Sequence, residues 1–189
     1  MVRKYPIVAC LALAATIAWP RYAQAQAIQL TGSGTVEYRL VHKFHTVVGT
    51  CRAMMVRGAV DKSGLRVMAR AQVQTFDSGN TNRDAHMMEA LEGEKYPWVS
   101  VRAALAGFRL PADPGTTKIR VDAAVELHGV SVNHPIDVTL DTKDGTHFHV
   151  SFQFTEKLSA HNIERPSLLF VPVDDDITIV GSAKVEAKK

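Results

Sequence analysis

Apolar and polar residues alternate with a period of two through most of this chain, and no other feature restricts its fold as strongly. In VEYRLVHKF, Val36, Tyr38, Leu40, His42 and Phe44 share one side. In LRVMARAQV, Leu65, Val67, Ala69, Ala71 and Val73 face away from Arg66, Arg70 and Gln72. VSVRAAL, KIRVDAAVEL, FHVSFQF and DITIVGSAKV repeat the pattern, placing Val101, Val121, Ala123, Phe152 and Ile179 on apolar faces. Side chains of a strand point to opposite faces in turn, so each run predicts a strand with one buried side. DKSG, PADPG, HGVS and TKDG lie between the runs as turn signals. About eight antiparallel strands follow, over 36–46, 52–60, 65–75, 98–109, 117–127, 131–140, 146–157 and 169–185.

Eight such strands can close into a barrel or split into a sandwich, and closure removes exposed edges. The apolar faces carry small residues at Ala69, Ala71, Ala103, Ala123, Gly181 and Ala183. A packed sandwich would favour Leu, Ile and Phe there. An eight-stranded barrel has room for side chains or one small ligand, and small linings favour the ligand. The expected fold is all-β, an eight-stranded antiparallel barrel with a short helix in the connection around residues 82–92.

The first residues read differently. Arg3 and Lys4 precede an apolar run from Ile7 to Trp19, and Ala23-Gln24-Ala25 follows as a small-x-small cleavage pattern. The run is shorter than the ~20 residues of a membrane-spanning helix, so residues 1–25 are read as a secretory signal peptide and 26–189 as one domain. Cys10 precedes most of the apolar run, whereas a lipidation box follows it, so no membrane anchor is expected. Arg3, Lys4 and Arg21 account for the formal charge of +3, since 19 bases then face 19 acids in the remainder. No nucleic-acid footprint remains. Cys51 is then the only cysteine, and no internal disulfide is available.

TNRDAHMMEAL, residues 81–91, interrupts the alternation. Asn80 or Asn82 can cap a helix there, and Met87, Met88 and Leu91 would form its apolar side as a lid over one barrel mouth. Adjacent residues diverge by about 100° on a helix, so His86 and Met87 cannot chelate one ion together. A metal- or redox-handling role through Cys51, His86 and the methionines is the competing reading. His147 and His149 share a face opposite Phe148, toward water. Asp174, Asp175 and Asp176 read as a solvated turn. No zinc-protease, nucleophile-elbow or dinucleotide motif is present, and no enzymatic activity is expected.

The order VEYRLVHKFHTVVGT, GNTNRDAHM, KYPWVSV, ELHGVSVNHPIDV and FTEKLSAHNIERP resembles the YceI-like family from about Val36 to Val185. The resemblance implies a lipocalin-like barrel, export to the periplasm or secretion, and binding of a polyisoprenoid or similar long amphiphile inside. Arg83, Asp84 and His86 match the family's RD-x-H and are expected to fix the connection by charge pairing and capping. GTCRAM and FDSGN depart from the family pattern at the pocket mouth. The expected ligand site has Tyr38 and His42 at a polar head and Leu40, Val67, Ala69, Val101, Val121, Ala123, Phe152 and Ile179 along a tunnel. No cofactor beyond a bound isoprenoid, quinone-like or other lipid is expected, and a homodimer is compatible with the sequence.

Overall fold

The computed structural model describes residues 27–42, 45–168 and 171–189. The leader predicted over 1–25 lies outside the described residues, as does the side chain of His42. Among the described residues ten strands form in order: β1 Ile28–His42, β2 His45–Asp61, β3 Gly64–Gln72, β4 Trp98–Ala106, β5 Gly115–Leu127, β6 Val130–Thr142, β7 His147–Lys157, β8 Ser167–Leu168, β9 Val171–Pro172 and β10 Asp176–Lys188. A ten-residue helix, α1, spans Thr81–Ala90. Eight of the strands close an antiparallel barrel in the order β1-β10-β7-β6-β5-β4-β3-β2, while β8 and β9 pair separately. Among the described residues no helix is long and apolar enough to cross a membrane.

The expected barrel and helix are present, but strand boundaries differ: β3 stops at Gln72, before a single 3-10 turn at Val73–Thr75, β4 stops at Ala106, and three further differences are larger. The alternating run at 36–46 belongs to two strands, since β1 ends at His42 and β2 begins at His45. Alternation continues across that connection and hides it. β1 also starts at Ile28, through TGSGT, a stretch too poor in apolar residues to read as a strand. Its register against β2 shifts between Gly34 and Val36, opposite Met54 and Cys51, and the extra residue lies on β2. A bulge reverses which alternate residues face inward. On β2, Val47, Gly49 and Cys51 therefore share the inner face with Met54 and Val56. Finally, the apolar residues of 169–175 belong to β9 and the connection before β10, not to one long strand.

The turns at 62–63 and 143–146 and the segment 107–114 sit at one end of the barrel, the short-turn end, while the β5–β6 hairpin at His128–Gly129 lies at the other. His128 and Gly129 both have positive φ, 50° and 71°, the left-handed pair that a two-residue hairpin requires. Residues 73–97, with α1, and residues 158–175, with the β8–β9 hairpin, both lie over the same end as the β5–β6 hairpin, where His128 meets Glu92 and the His161 carbonyl. Apolar side chains gather in three buried clusters. One centres on Leu30, Val56, Leu65, Phe148 and Val185 at the short-turn end. The second lines the β5–β6 wall with Val121, Val125 and Ile136. The third, Leu158, Ile163, Val173 and Ile177, lies under the long connections.

Two seams are incomplete. β4 and β5 pair only from Ser100–Glu126 to Ala103–Ala123. Toward the short-turn end they splay, and Phe108 and Leu110 of the intervening segment face the interior. The Arg109 guanidinium ties that segment down, donating to the carbonyls of Asp61 and Lys62 at 3.2 Å each. β6 and β7 pair only from Asp137–Gln153 to Thr142–Phe148. Beyond that ladder His161 bonds the free β6 edge, its Nδ1–H donating to the Val130 carbonyl at 2.9 Å.

Candidate functional site

The small inward residues leave the barrel hollow. Ala69, Val101 and Phe152 face inward yet are only partly covered, because what they face is empty space. The space has two parts. An outer chamber of about 320 Å³ lies beneath the long connections. An inner chamber of about 120 Å³ lies toward the short turns. Their walls are almost wholly hydrocarbon, and Ala69, Val101 and Phe152 border both.

The roof of the outer chamber comes from both long connections. Arg83, His86, Met87 and Ala90 of α1 and Leu91 at its C-terminal cap face it, with Phe76 from the preceding segment. Leu158, Ile163 and Val173 close the other side. Leu158 and Ile163 lie in a segment with neither a strand nor a helix period, and Val173 falls within the strand expected over 169–185. Tyr38 supplies a polar group near the opening. Burial first, and the charge of Asp84 second, push its hydroxyl above the ordinary range against the opposing effect of Arg83. The group is therefore a neutral phenol at physiological pH, able to donate or accept a hydrogen bond.

Local sequence fixes the roof in place. Asn80 caps α1, its side-chain oxygen accepting from the backbone N–H groups of Asn82 and Arg83 at 3.1 Å each. Arg83 and Asp84 do not pair with each other. Both hold Ser78: its N–H donates to Asp84 Oδ1 at 3.0 Å, and Arg83 Nη2 donates to its carbonyl at 2.8 Å. At the other end, Glu92 Oε1 lies 3.2 Å from His128 Nε2, and the Tyr96 ring meets His128 edge-on at 5.0 Å. Lys95 first, and His128 with it, hold the Glu92 carboxyl below its usual range. Asp175 secures the second connection, accepting from the N–H and hydroxyl of Ser159 at 2.8 and 2.6 Å. The acidic run is thus a fastening as well as a turn. Asp84→Ala removes the acceptor for Ser78, at a cost of about 1 kcal/mol. Faster hydrogen exchange across Thr81–Ala90 with unchanged barrel protection is the expected result.

Of the residues picked out from sequence, Tyr38, Leu40, Met87, Leu91 and Ile179 border the outer chamber. Val67, Val121 and Ala123 border the inner one. Met88 reaches neither. Its thioether packs at Gly93, where a Cβ would lie 2.6 Å from the Met88 methyl. The face α1 turns inward is 83, 86, 87, 90 and 91, which passes by position 88 and includes His86. His147 and His149 are exposed on the outer wall, with His147 Nδ1 2.7 Å from Asp144 Oδ2.

The elements of the competing metal reading are held apart in their roles. Cys51 is fully buried, with its Sγ 3.1 Å from Thr75 Oγ1. The Thr75 hydroxyl already donates to the Gln72 carbonyl, so the thiol is the donor in that contact. Cys51 borders neither chamber, whereas His86 is an exposed residue at the rim. Among the described residues no group of three or more His, Cys, Asp or Glu is arranged to hold a metal ion.

This architecture is similar to several solved structures. A polyisoprenoid binding domain from Saccharophagus degradans, implicated in plant cell wall breakdown, superposes with a TM-score of 0.70 at 12% identity, over 86% of this chain and 99% of that one. BcnA of Burkholderia cenocepacia gives 0.65 at 16% identity, over 80% and 95%. The YCEI protein of Campylobacter jejuni gives 0.58 at 16% identity, over 79% and 89%. No curated protein matches the chain by sequence. The sequence pattern of the YceI-like domain matches residues 27–185, which takes in both long connections and all eight barrel strands up to Val185 of β10. By that match, over a closed barrel with a hydrocarbon-walled interior, the chain belongs to the YceI-like family.

Proposed function

We propose that this protein is an exported carrier or sequestering protein for a long, single-chain amphiphile of isoprenoid or related lipid type, held with its tail inside the barrel. The observation that carries this reading is the hollow itself, an apolar space roofed at one end and edged by Tyr38, Arg83 and His86. The tail lies against Leu40, Ala69, Val101 and Ile179. The head stays at the rim, where those polar groups meet water. The polyisoprenoid binding of the Saccharophagus domain supports the same ligand class. The basic start, apolar run and Ala23-Gln24-Ala25 of the sequence support export to the periplasm.

Burial supplies the affinity. Hiding a hydrocarbon surface of ~400 Å² yields on the order of 10 kcal/mol gross at about 25 cal/mol per Å². Loss of translational and chain freedom offsets much of that. Micromolar or tighter binding follows without a charged anchor. Native mass spectrometry of protein purified gently from its own host tests both parts of the proposal. The expected mass is a chain beginning at Gln26 plus one lipid. A bare chain that also fails to take up a hydrophobic dye would count against carriage. An intact leader would count against export.

A further inference from the structure

The constriction between the two chambers is built unequally. β7 lies diametrically opposite β3 in the barrel order. Phe152 on β7 therefore faces Ala69, whose register partner on β4 is Val101. Ala69 and Val101 are short and stiff, one lacking a rotatable side chain and the other β-branched. Phe152 is the bulky, rotatable member of the three residues bordering both chambers. Its ring rests in a notch opposite. Gly181 is its register partner on β10, and a Cβ there would lie 2.2 Å from Phe152 Cζ. Phe154 stacks beside it with centroids 6.2 Å apart and planes 29° apart. The ring is thus parked against the wall only because position 181 has no side chain.

We propose that Phe152, seated on Gly181, sets the length of chain the barrel accepts. This rests on the carrier reading above and adds a selector to it. An engineered cavity of about 150 Å³ encloses one benzene. On that scale the outer chamber holds on the order of a dozen carbons and the inner one roughly five, about one isoprene unit. The waist separates these two allotments. A chain that fills the outer chamber gains nothing from a further unit unless the ring lets it pass. Opening the waist gives that unit a hydrocarbon wall, with Ala123 at its side and Phe108 at its end.

Geraniol, farnesol and geranylgeraniol differ by one isoprene unit each and serve as probes, titrated against a bound fluorescent dye. In the wild type, affinity rises from geraniol to farnesol and then levels off. In Phe152→Ala, geranylgeraniol gains about tenfold over farnesol, because the last unit is now buried. Gly181→Ala drives the ring toward the axis and into the outer chamber, and weakens farnesol and geranylgeraniol alike while sparing the shorter geraniol. Phe152→Ala combined with Ala123→Phe, which fills the inner chamber, returns to the wild-type pattern. Phe152→Leu carries the same test with a smaller gain if Phe152→Ala does not fold. An equal gain for all three alcohols, or a gain that survives Ala123→Phe, overturns the selector while leaving the carrier intact. Failure of the wild type to bind any of the three removes the carrier reading and the selector with it.

Discussion

Ala69→Trp is expected to reduce lipid uptake by about 100-fold or more, a loss of ~3 kcal/mol, while leaving the barrel folded. Ala69 borders both chambers, so an indole placed there occupies the waist and part of each. Enlarging a residue in a filled core costs typically about 1–3 kcal/mol through strain. Here the added atoms project into empty space, and the strain is smaller. Ala104→Trp is the matched control, since Ala104 is exposed on the outer wall of β4. Dye displacement by farnesol reads the uptake, and thermal unfolding reads the fold. Equal uptake by both tryptophan variants would place the ligand outside the barrel.

The logic of that substitution could be read from sequence, because alternation assigns faces. Once one apolar side of each strand must be buried, Ala69, Val101, Ala123 and Phe152 point inward together, and their small average size implies a hollow. The roof was harder to read. Every residue of α1 remains at least partly exposed, so its orientation is not set by burying an apolar stripe of its own. The grip of Arg83 and Asp84 on Ser78 and of Glu92 on His128 sets it. The Ser78 contacts are local, five and six positions apart, but the Glu92–His128 contact joins residues whose proximity depends on the closed barrel. Helical spacing groups Met87, Met88 and Leu91 on one side, whereas the anchoring turns Met88 away and brings His86 to the rim. Cys51 was open to a redox reading for the same reason: its partner Thr75 is 24 positions away. Phe152 illustrates the limit from the other side. Its inward direction is evident from FHVSFQF, but its seat depends on facing Gly181, a register that only the folded sheet establishes.

The part of the barrel least visible in the sequence is expected to be among the least tolerant of change. Gly34 lies on β1 in the stretch that did not read as a strand, next to the bulge. A Cβ there would lie 2.0 Å from the Ser182 carbonyl oxygen and 2.6 Å from the Ala183 Cα. Both are backbone atoms of β10, so no rotamer change relieves the contact. Gly32, one step along the same face, would place a Cβ 2.4 Å from the Lys184 carbonyl oxygen. Glycine in a strand usually weakens it, and it is kept where another backbone must come close or where a barrel bends. β1 is also the strand that closes the cylinder, pairing with β2 on one side and β10 on the other. Gly34→Val must therefore separate β1 from β10 or flatten the bend that brings them together. The expected loss is about 3–5 kcal/mol, enough to unfold a domain of ordinary stability. Urea denaturation checks it: the midpoint should fall sharply, or the variant should be recovered without its cooperative transition. Gly79→Val, at a site with no atom within 4 Å of a Cβ but with a φ of 73°, separates backbone strain from collision. Its loss should be confined to strain in the connection before α1 and leave the barrel transition cooperative. If Gly34→Val were no more damaging than Gly79→Val, closure of the barrel would not depend on the close approach of β1 and β10.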